Sequence, residues 1–288
     1  MKILLTGAAG QLGRELKRSL DCLGEVIACD HRQLDLANAT PLREAVRRLA
    51  PSAIVNAAAY TAVDRAESEP MLAQAVNAEA PGVLAEEAMR LGALLIHFST
   101  DYVFDGNKSS PYTEADTTAP LSVYGRSKRD GEHAILSSGA RHLILRTSWV
   151  YGLHGANFMK TMLRLGRERD ELRVVDDQVG APTWTRHLAD VSAQILGKKE
   201  CPDGLYHLTA AGVTSWHGYA EAIFEEALQQ GLLTKGPTVH RIPSADYPLP
   251  AQRPQNSRLD CSRFTADFAM TLPDWRVGLA DCLADTRF

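Results

Sequence analysis

Five apolar runs of strand length alternate with helical patterns through the first half of the chain, and this alternation restricts the fold more than any other feature. Residues 2–6, 26–29, 53–57, 93–98 and 142–146 read as strands. Residues 11–20, 41–49, 70–91 and 123–136 read as helices, the second with Pro41 in its first turn and the third stopped by Gly92. Strands that lack polar alternation are buried on both faces, so the sheet must be parallel and covered by helices on each side. Right-handed crossovers then give a Rossmann-like, doubly wound α/β fold. After residue 150 the pattern changes. Pro, Gly and polar loops gather at 176–182 and 243–254, and shorter helices such as 216–229 appear. The reading is a dinucleotide-binding domain over 1–150, with later strands such as 204–208 returning to the sheet. A smaller C-terminal substrate-binding lobe takes up most of 151–288.

The first strand runs directly into Gly7-Ala-Ala-Gly10-Gln-Leu-Gly13, with the pattern Gly-x-x-Gly-x-x-Gly, and then into a helix. Glycine permits the tight turn and lets backbone N–H groups approach a pyrophosphate at the helix N-terminus. Gly7, Gly10, Gln11, Leu12 and Gly13 are therefore candidate cofactor contacts. Asp30 closes the second strand, where an acid bonds an adenosine ribose and favours NADH. His31 and Arg32 follow at once and suit a 2′-phosphate, so NADPH and NADH both stay open. Asp35 and Leu36 are candidates for the adenine pocket. Ala59, Tyr60 and Thr61 lie beyond the third strand, at the ligand-binding edge of such a sheet.

Tyr124 and Lys128 stand four residues apart, on one face of a helix. A lysine there stabilises a phenolate and primes the tyrosine as a proton donor or acceptor. The Ser99-Thr100-Asp101 segment ends the fourth strand, where the Thr100 hydroxyl and Asp101 can meet a substrate oxygen. Each signal alone is weak, since Tyr-x-x-x-Lys arises often by chance and hydroxyls cap many turns. Their order, behind a glycine-rich turn, points to redox chemistry on a carbonyl or carbinol. His97 alternates into the same strand and reads as a packed core histidine.

Composition narrows the remaining classes. The chain has 288 residues, 45% hydrophobic and 23% charged, with a net charge of −4, which suits a globular enzyme and not a nucleic-acid binder. Cys22, Cys29, Cys201, Cys261 and Cys282 form no Cys-x-x-Cys pair and are odd in number, as expected of reduced thiols in a cytoplasmic protein without a zinc site. The apolar start at 3–5 is too short for a signal peptide, and no run approaches the ~20 residues of a membrane span.

Seven motifs in order carry a resemblance that runs through almost the whole chain. They begin at Gly7, Asn56 (Asn-Ala-Ala-Ala-Tyr-Thr-Ala-Val-Asp), Ser99 (Ser-Thr-Asp-Tyr-Val-Phe-Asp-Gly), Tyr124, Arg146 (Arg-Thr-Ser-Trp-Val-Tyr), Asp177 (Asp-Gln-Val-Gly-Ala-Pro-Thr) and Arg253 (Arg-Pro-Gln-Asn-Ser). The chain resembles the extended short-chain dehydrogenase/reductase superfamily and, within it, the dTDP-4-dehydrorhamnose reductase family. The resemblance implies reduction of a dTDP-sugar ketone at C4, in the supply of rhamnose for bacterial surface polysaccharide such as O-antigen. It implies Tyr124 as proton donor, Lys128 on the nicotinamide ribose, Thr100 tuning the tyrosine, and Thr100 and Asp101 on the sugar. Trp149 would pack on the sugar ring and Arg253 would meet the diphosphate, as guanidinium suits phosphate oxygens. Gln178 and Asn256 belong to the same cleft. Related sugar-nucleotide dehydratases carry an acid where this chain has Tyr102. Some relatives hold magnesium between subunits through acids. Glu15 matches one such position, but Arg186 stands where a second acid is expected, so magnesium and a homodimer are the expectations the sequence supports least. Two alternatives share the motifs: a reductase or epimerase of another 4-keto sugar nucleotide, and a non-catalytic regulatory subunit of the kind that partners methionine adenosyltransferase.

Overall fold

The computed structural model describes residues 1–198 and 202–285, so Cys201 lies outside the described residues. Six parallel strands form the central sheet: β1 (Lys2–Thr6), β2 (Glu25–Cys29), β3 (Ala53–Asn56), β4 (Leu94–Thr100), β5 (His142–Thr147) and β6 (Gly204–His207). Their spatial order is β6-β5-β4-β3-β1-β2, so the chain reverses direction across the sheet between β1 and β3. In open α/β sheets ligands bind at that reversal, beyond the carboxyl ends of the strands.

Helices cover both faces. One face packs against α1 (Gln11–Leu20) and the later helix Thr185–Leu196 through Ile3, Leu5, Leu16, Val55, Ile96 and Leu188, all 0% exposed. The other packs against α2 (Ala39–Leu49), α3 (Ala80–Leu91) and α4 (Val123–Ser137) through Leu4, Leu42, Ile54, Leu84, Ile135 and Ile144. Strand β4 runs two residues beyond the expected 93–98, because Ser99 and Thr100 continue the ladder opposite Arg146 and Thr147 of β5. Helix α2 begins at Ala39, two residues before Pro41. The missing N–H of Pro41 costs nothing there, since the first-turn amides have no helical partner.

The long helix expected over 70–91 is interrupted. Between Pro70–Gln74 and α3 lies one wide π turn, Ala75–Glu79. Asn77 of this turn is buried. Its side chain accepts from the Tyr60 N–H (2.8 Å) and donates to the Tyr60 carbonyl (3.0 Å) and the Ser127 hydroxyl (3.0 Å). The turn is where α4 approaches most closely, since a Cβ at Gly131 would collide with the Asn77 carbonyl.

Past β5 a second hydrophobic core gathers Tyr151, Met159, Trp184, Tyr219, Phe224 and Trp275. Short strand pairs join its loops: Val150–Tyr151 with Thr183–Trp184, Glu171–Val175 with Thr238–Ile242, and Val179–Gly180 with Thr214–Ser215. Gly131→Ala should therefore cost about 1–3 kcal/mol, measured by urea unfolding, because the added methyl meets backbone and not a side chain that can swing away.

Candidate active site

The glycine-rich turn is tight on every side. Gly7 has φ 71°, and a Cβ there would fall 2.6 Å from the Ala58 nitrogen. A Cβ at Gly13 would strike the Gly7 carbonyl, and the Gly10 N–H donates to that carbonyl at 2.9 Å. Helix α1 starts with no side-chain cap and no acid in its first turn. Its leading N–H groups are thus open to an anion, which is what a dinucleotide pyrophosphate needs. Beside it, Gln11 accepts from the Asn157 amide at 2.8 Å, and Leu12 packs on the sheet core.

The carboxylates after β2 are tied into their own turns. The Asp30 carboxylate accepts from the Arg32 and Gln33 N–H groups (2.9 and 3.1 Å), closing the turn after β2 while His31 and Arg32 stay exposed. Asp35 likewise accepts from the Ala37 N–H and the Asn38 amide. Leu36 is 6% exposed and belongs to the core under α2. Beyond β3, Ala59 and Tyr60 are half-buried and Thr61 is exposed, with the Tyr60 hydroxyl donating to Glu69 at 2.6 Å.

Thr100 and Tyr124 meet, and Lys128 follows one turn later on the same helix. Ser122 caps α4 by accepting from the Gly125 N–H, and this sets Tyr124 and Lys128 on the helix face that meets the end of β4. Burial pushes the Tyr124 phenol up to about 12, against which a hydrogen bond from Thr100 lowers it. The Tyr124 ring packs edge-on against Tyr102, centroids 5.5 Å apart. Lys128 is 1% exposed, its Nζ 2.7 Å from the Phe98 carbonyl and 3.1 Å from His97 Nε2. Burial brings its ammonium down to about 8, partly offset by Glu132 one turn on. Asp101 is buried, accepts from Thr100 at 3.1 Å, and has one carboxylate oxygen without a partner. Burial pushes it up to about 6, with hydrogen bonds from Ser257 and Thr100 working in the opposite direction.

A cleft of about 1420 Å³ runs up to Tyr102 and includes Gln178, Trp216, Arg253 and Tyr247 in its walls. Gln178 is pinned there: it accepts from the Trp216 indole N–H (3.1 Å) and donates to the Ser244 hydroxyl (2.8 Å). Trp149 stacks on Trp216 with ring centroids 3.7 Å apart, in a left-handed backbone conformation of φ 49°. Arg253 is gripped by Asp64 through two hydrogen bonds of 3.0 and 2.8 Å. Asn256 is 5% exposed, and its amide is spent on the Lys108 and Ser110 carbonyls and on Arg258, so it braces loops and brings no free group to the cleft.

Glu15 is 3% exposed and accepts from Arg18 (3.1 Å) and Arg186 (3.2 Å). Among the described residues, no three His, Cys, Asp or Glu side chains are grouped to hold a metal ion. No helix among them is long and apolar enough to cross a membrane.

The chain as a whole is similar to known proteins. The family described as the RmlD substrate binding domain matches residues 1–288. The dTDP-4-dehydrorhamnose reductase of Escherichia coli (strain K12) is 49% identical over 286 residues, 97% of this chain and 96% of that protein. The chain belongs to the dTDP-4-dehydrorhamnose reductase family. Among solved structures, the Clostridium acetobutylicum dTDP-4-dehydrorhamnose reductase is 38% identical, with TM-score 0.92 and complete coverage of both chains. The Bacillus anthracis reductase, solved in complex with NADP, is 34% identical, with TM-score 0.92 over 99% of each chain.

Several residues of the site escaped the sequence reading. His97 is buried as expected, yet its ring contacts Lys128 and, through Nδ1, the Asn56 amide at 3.0 Å. Glu132 is 1% exposed and binds Arg146 of β5 (2.6 and 2.8 Å) and the Ser99 hydroxyl. Asn56, Ser99 and Arg146 lie inside the quoted motifs and Glu132 one turn beyond Lys128, while His97 lies in no motif. Pairing across three elements was not readable.

Asp101 yields a stability prediction. Its folded pKa is raised, so the fold disfavours the ionised form, and the penalty develops as pH rises from the unfolded value through about 6. Asp101→Asn should stabilise the fold by up to about 3 kcal/mol at alkaline pH and by nothing at acid pH, in paired melts across the range.

Proposed function

We propose that this protein is the reductase that converts dTDP-4-dehydro-β-L-rhamnose to dTDP-β-L-rhamnose with NAD(P)H, the last step of dTDP-L-rhamnose synthesis. The observation that carries the reading is the meeting of Thr100, Tyr124 and Lys128 beside the glycine cradle. It occurs in a chain 49% identical to a reductase of that name.

Reduced nicotinamide supplies the hydride to the C4 carbonyl carbon. The residues of the chain do the rest. Tyr124 gives its hydroxyl proton to the C4 oxygen as the carbonyl becomes a carbinol. The phenolate left behind is stabilised by the protonated form of Lys128 and by the Thr100 hydroxyl, which turns its one hydrogen from Asp101 to the phenolate. Asp101, with its unpartnered oxygen, takes a sugar hydroxyl. Trp149 lies over the sugar ring, Gln178 is held ready for the nucleotide sugar, and Arg253 offers its charge to the diphosphate. The glycine turn and the start of α1 hold the dinucleotide pyrophosphate. One Asp30 oxygen serves its own turn, and the exposed Arg32 and His31 beside it support a 2′-phosphate contact, so the reading takes NADPH as the reductant.

The test is reduced-nicotinamide consumption on the dTDP-4-keto sugar made in situ, with identification of the sugar product. Tyr124→Phe should lower kcat about 10²- to 10⁴-fold while NADPH still binds. Turnover indifferent to that change would remove the proton donor. Arg32→Glu should weaken NADPH about tenfold or more and leave NADH nearly untouched, because a charge-assisted bond to the 2′-phosphate becomes a repulsion. Equal losses for both cofactors would remove the 2′-phosphate contact.

A further inference from the structure

The chain of hydrogen bonds behind Lys128 has a direction. The Ala58 backbone N–H donates to Asn56 Oδ1 at 3.2 Å, and the Thr6 hydroxyl donates to the same oxygen at 2.7 Å. A backbone amide has no lone pair to offer in return, so the carboxamide cannot be turned over, and the Asn56 NH₂ must face His97 Nδ1 (3.0 Å). Nδ1 is then the acceptor, and a neutral imidazole carries its proton on Nε2. Burial holds His97 neutral, well below the usual imidazole range, with the neighbouring Lys128 charge acting in the same direction. The Nε2–H points at Lys128 Nζ, 3.1 Å away. An amine has a lone pair to accept that hydrogen and an ammonium has none. The remaining bond of Nζ, to the Phe98 carbonyl, suits either form.

We propose that Asn56 and His97 are positioning residues that turn Nε2–H toward Lys128 and so weaken its hold on a proton, and that the Lys128 ammonium therefore gives its proton to the Tyr124 phenolate readily and is left as the amine that accepts from His97. The inference deepens the reductase reading and rests on it for its catalytic consequence. The surrounding charges leave this bias in place. Glu132 raises the lysine but is itself matched by Arg146 of β5 and by Ser99. Asp101 acts toward Tyr124 and Tyr102. The acids on the other elements packed nearby are engaged elsewhere: Asp64 with Arg253, Glu67 with the Val123 N–H, Glu69 with Arg65, and Glu87 with Arg43, Arg47 and Arg90. Each protonation of Lys128 must therefore break the His97 contact or force a tautomer that sets Nδ1–H against the Asn56 NH₂.

Two measurements decide this. Long-range proton–nitrogen correlations on protein labelled in its histidine rings, with His97→Gln to assign the signal, should find His97 as the Nε2–H tautomer in the free wild-type protein. Asn56→Asp keeps the acceptor for Ala58 and Thr6 but replaces the NH₂ with an oxygen. His97 should then switch to Nδ1–H, present a lone pair to Lys128, and let it stay protonated. The alkaline limb of kcat against pH should move up by about one pH unit or more. A wild-type Nδ1–H tautomer overturns the proposal, even where Asn56→Asp does not fold. So does a switched tautomer with an unmoved limb, or a moved limb with no switch, which would be the effect of added charge alone. If the wild type does not reduce the sugar nucleotide, the reductase reading fails separately. The tautomer and the Lys128 side-chain titration, followed by carbon shifts in the free protein, still decide the hydrogen-bond chain.

Discussion

Lys128 ends in a head group with almost no water around it, between the Phe98 carbonyl and the His97 ring, and the geometry of the site follows from that burial. Leaving a lysine nitrogen in such surroundings is unfavourable unless its bonds are good and its charge is movable. Both conditions hold. Two partners on β4 meet it at hydrogen-bonding distance, and burial brings its ionisation toward neutrality. Because α4 is one rigid piece, fixing Lys128 also fixes Tyr124 one turn earlier, against Thr100 and Tyr102. The wide turn around Asn77 completes the fixation, since it lets α4 approach without a side chain between them.

The segments that follow β5 contribute cleft walls. Gln178, Trp216 and Ser244 come from separate segments and are linked by hydrogen bonds, and Trp149 stacks on the same indole. Trp149 holds a left-handed backbone that an aromatic residue rarely adopts, with its carbonyl accepting from the Thr183 N–H at 3.1 Å. Strain of this kind persists only where the surroundings over-determine it, and it gathers at ligand sites. Gly180 permits the arrangement, since a Cβ there would come within 2.7 Å of the Trp149 ring. Trp216 and Arg253 line the same cleft, the guanidinium already oriented by Asp64.

Much of this was legible from residue order. Strands with no polar alternation can only be central strands, so the parallel sheet and the helices on both faces were readable. Glycines at three-residue spacing after a strand marked the cradle, because only a residue without a side chain fits there. Tyr124 and Lys128 announced themselves by helical spacing. Residue order did not show which way the polar groups turn. Asp30 and Asp35 read as ribose and adenine contacts, and what the reading missed is that each also accepts from backbone amides of its own turn. Asn256 sat in a telling motif, yet its amide closes loops around residues 108–110. The helix over 70–91 hid its wide turn, because Asn77 obeys the same apolar periodicity as its neighbours.

By itself the sequence determined the class of the sheet, the place of the tight glycine turn and the spacing that sets Tyr124 and Lys128 on one helix face. These depend on local rules: strand periodicity, glycine's missing side chain and the pitch of a helix. Only the tertiary structure decided that His97 faces Lys128, that Asn56 faces His97, and that Arg253 is held by Asp64. Those contacts join residues 31, 41 and 189 positions apart. Hydrogen-bond direction across such distances is set by how elements pack, and no local pattern encodes it.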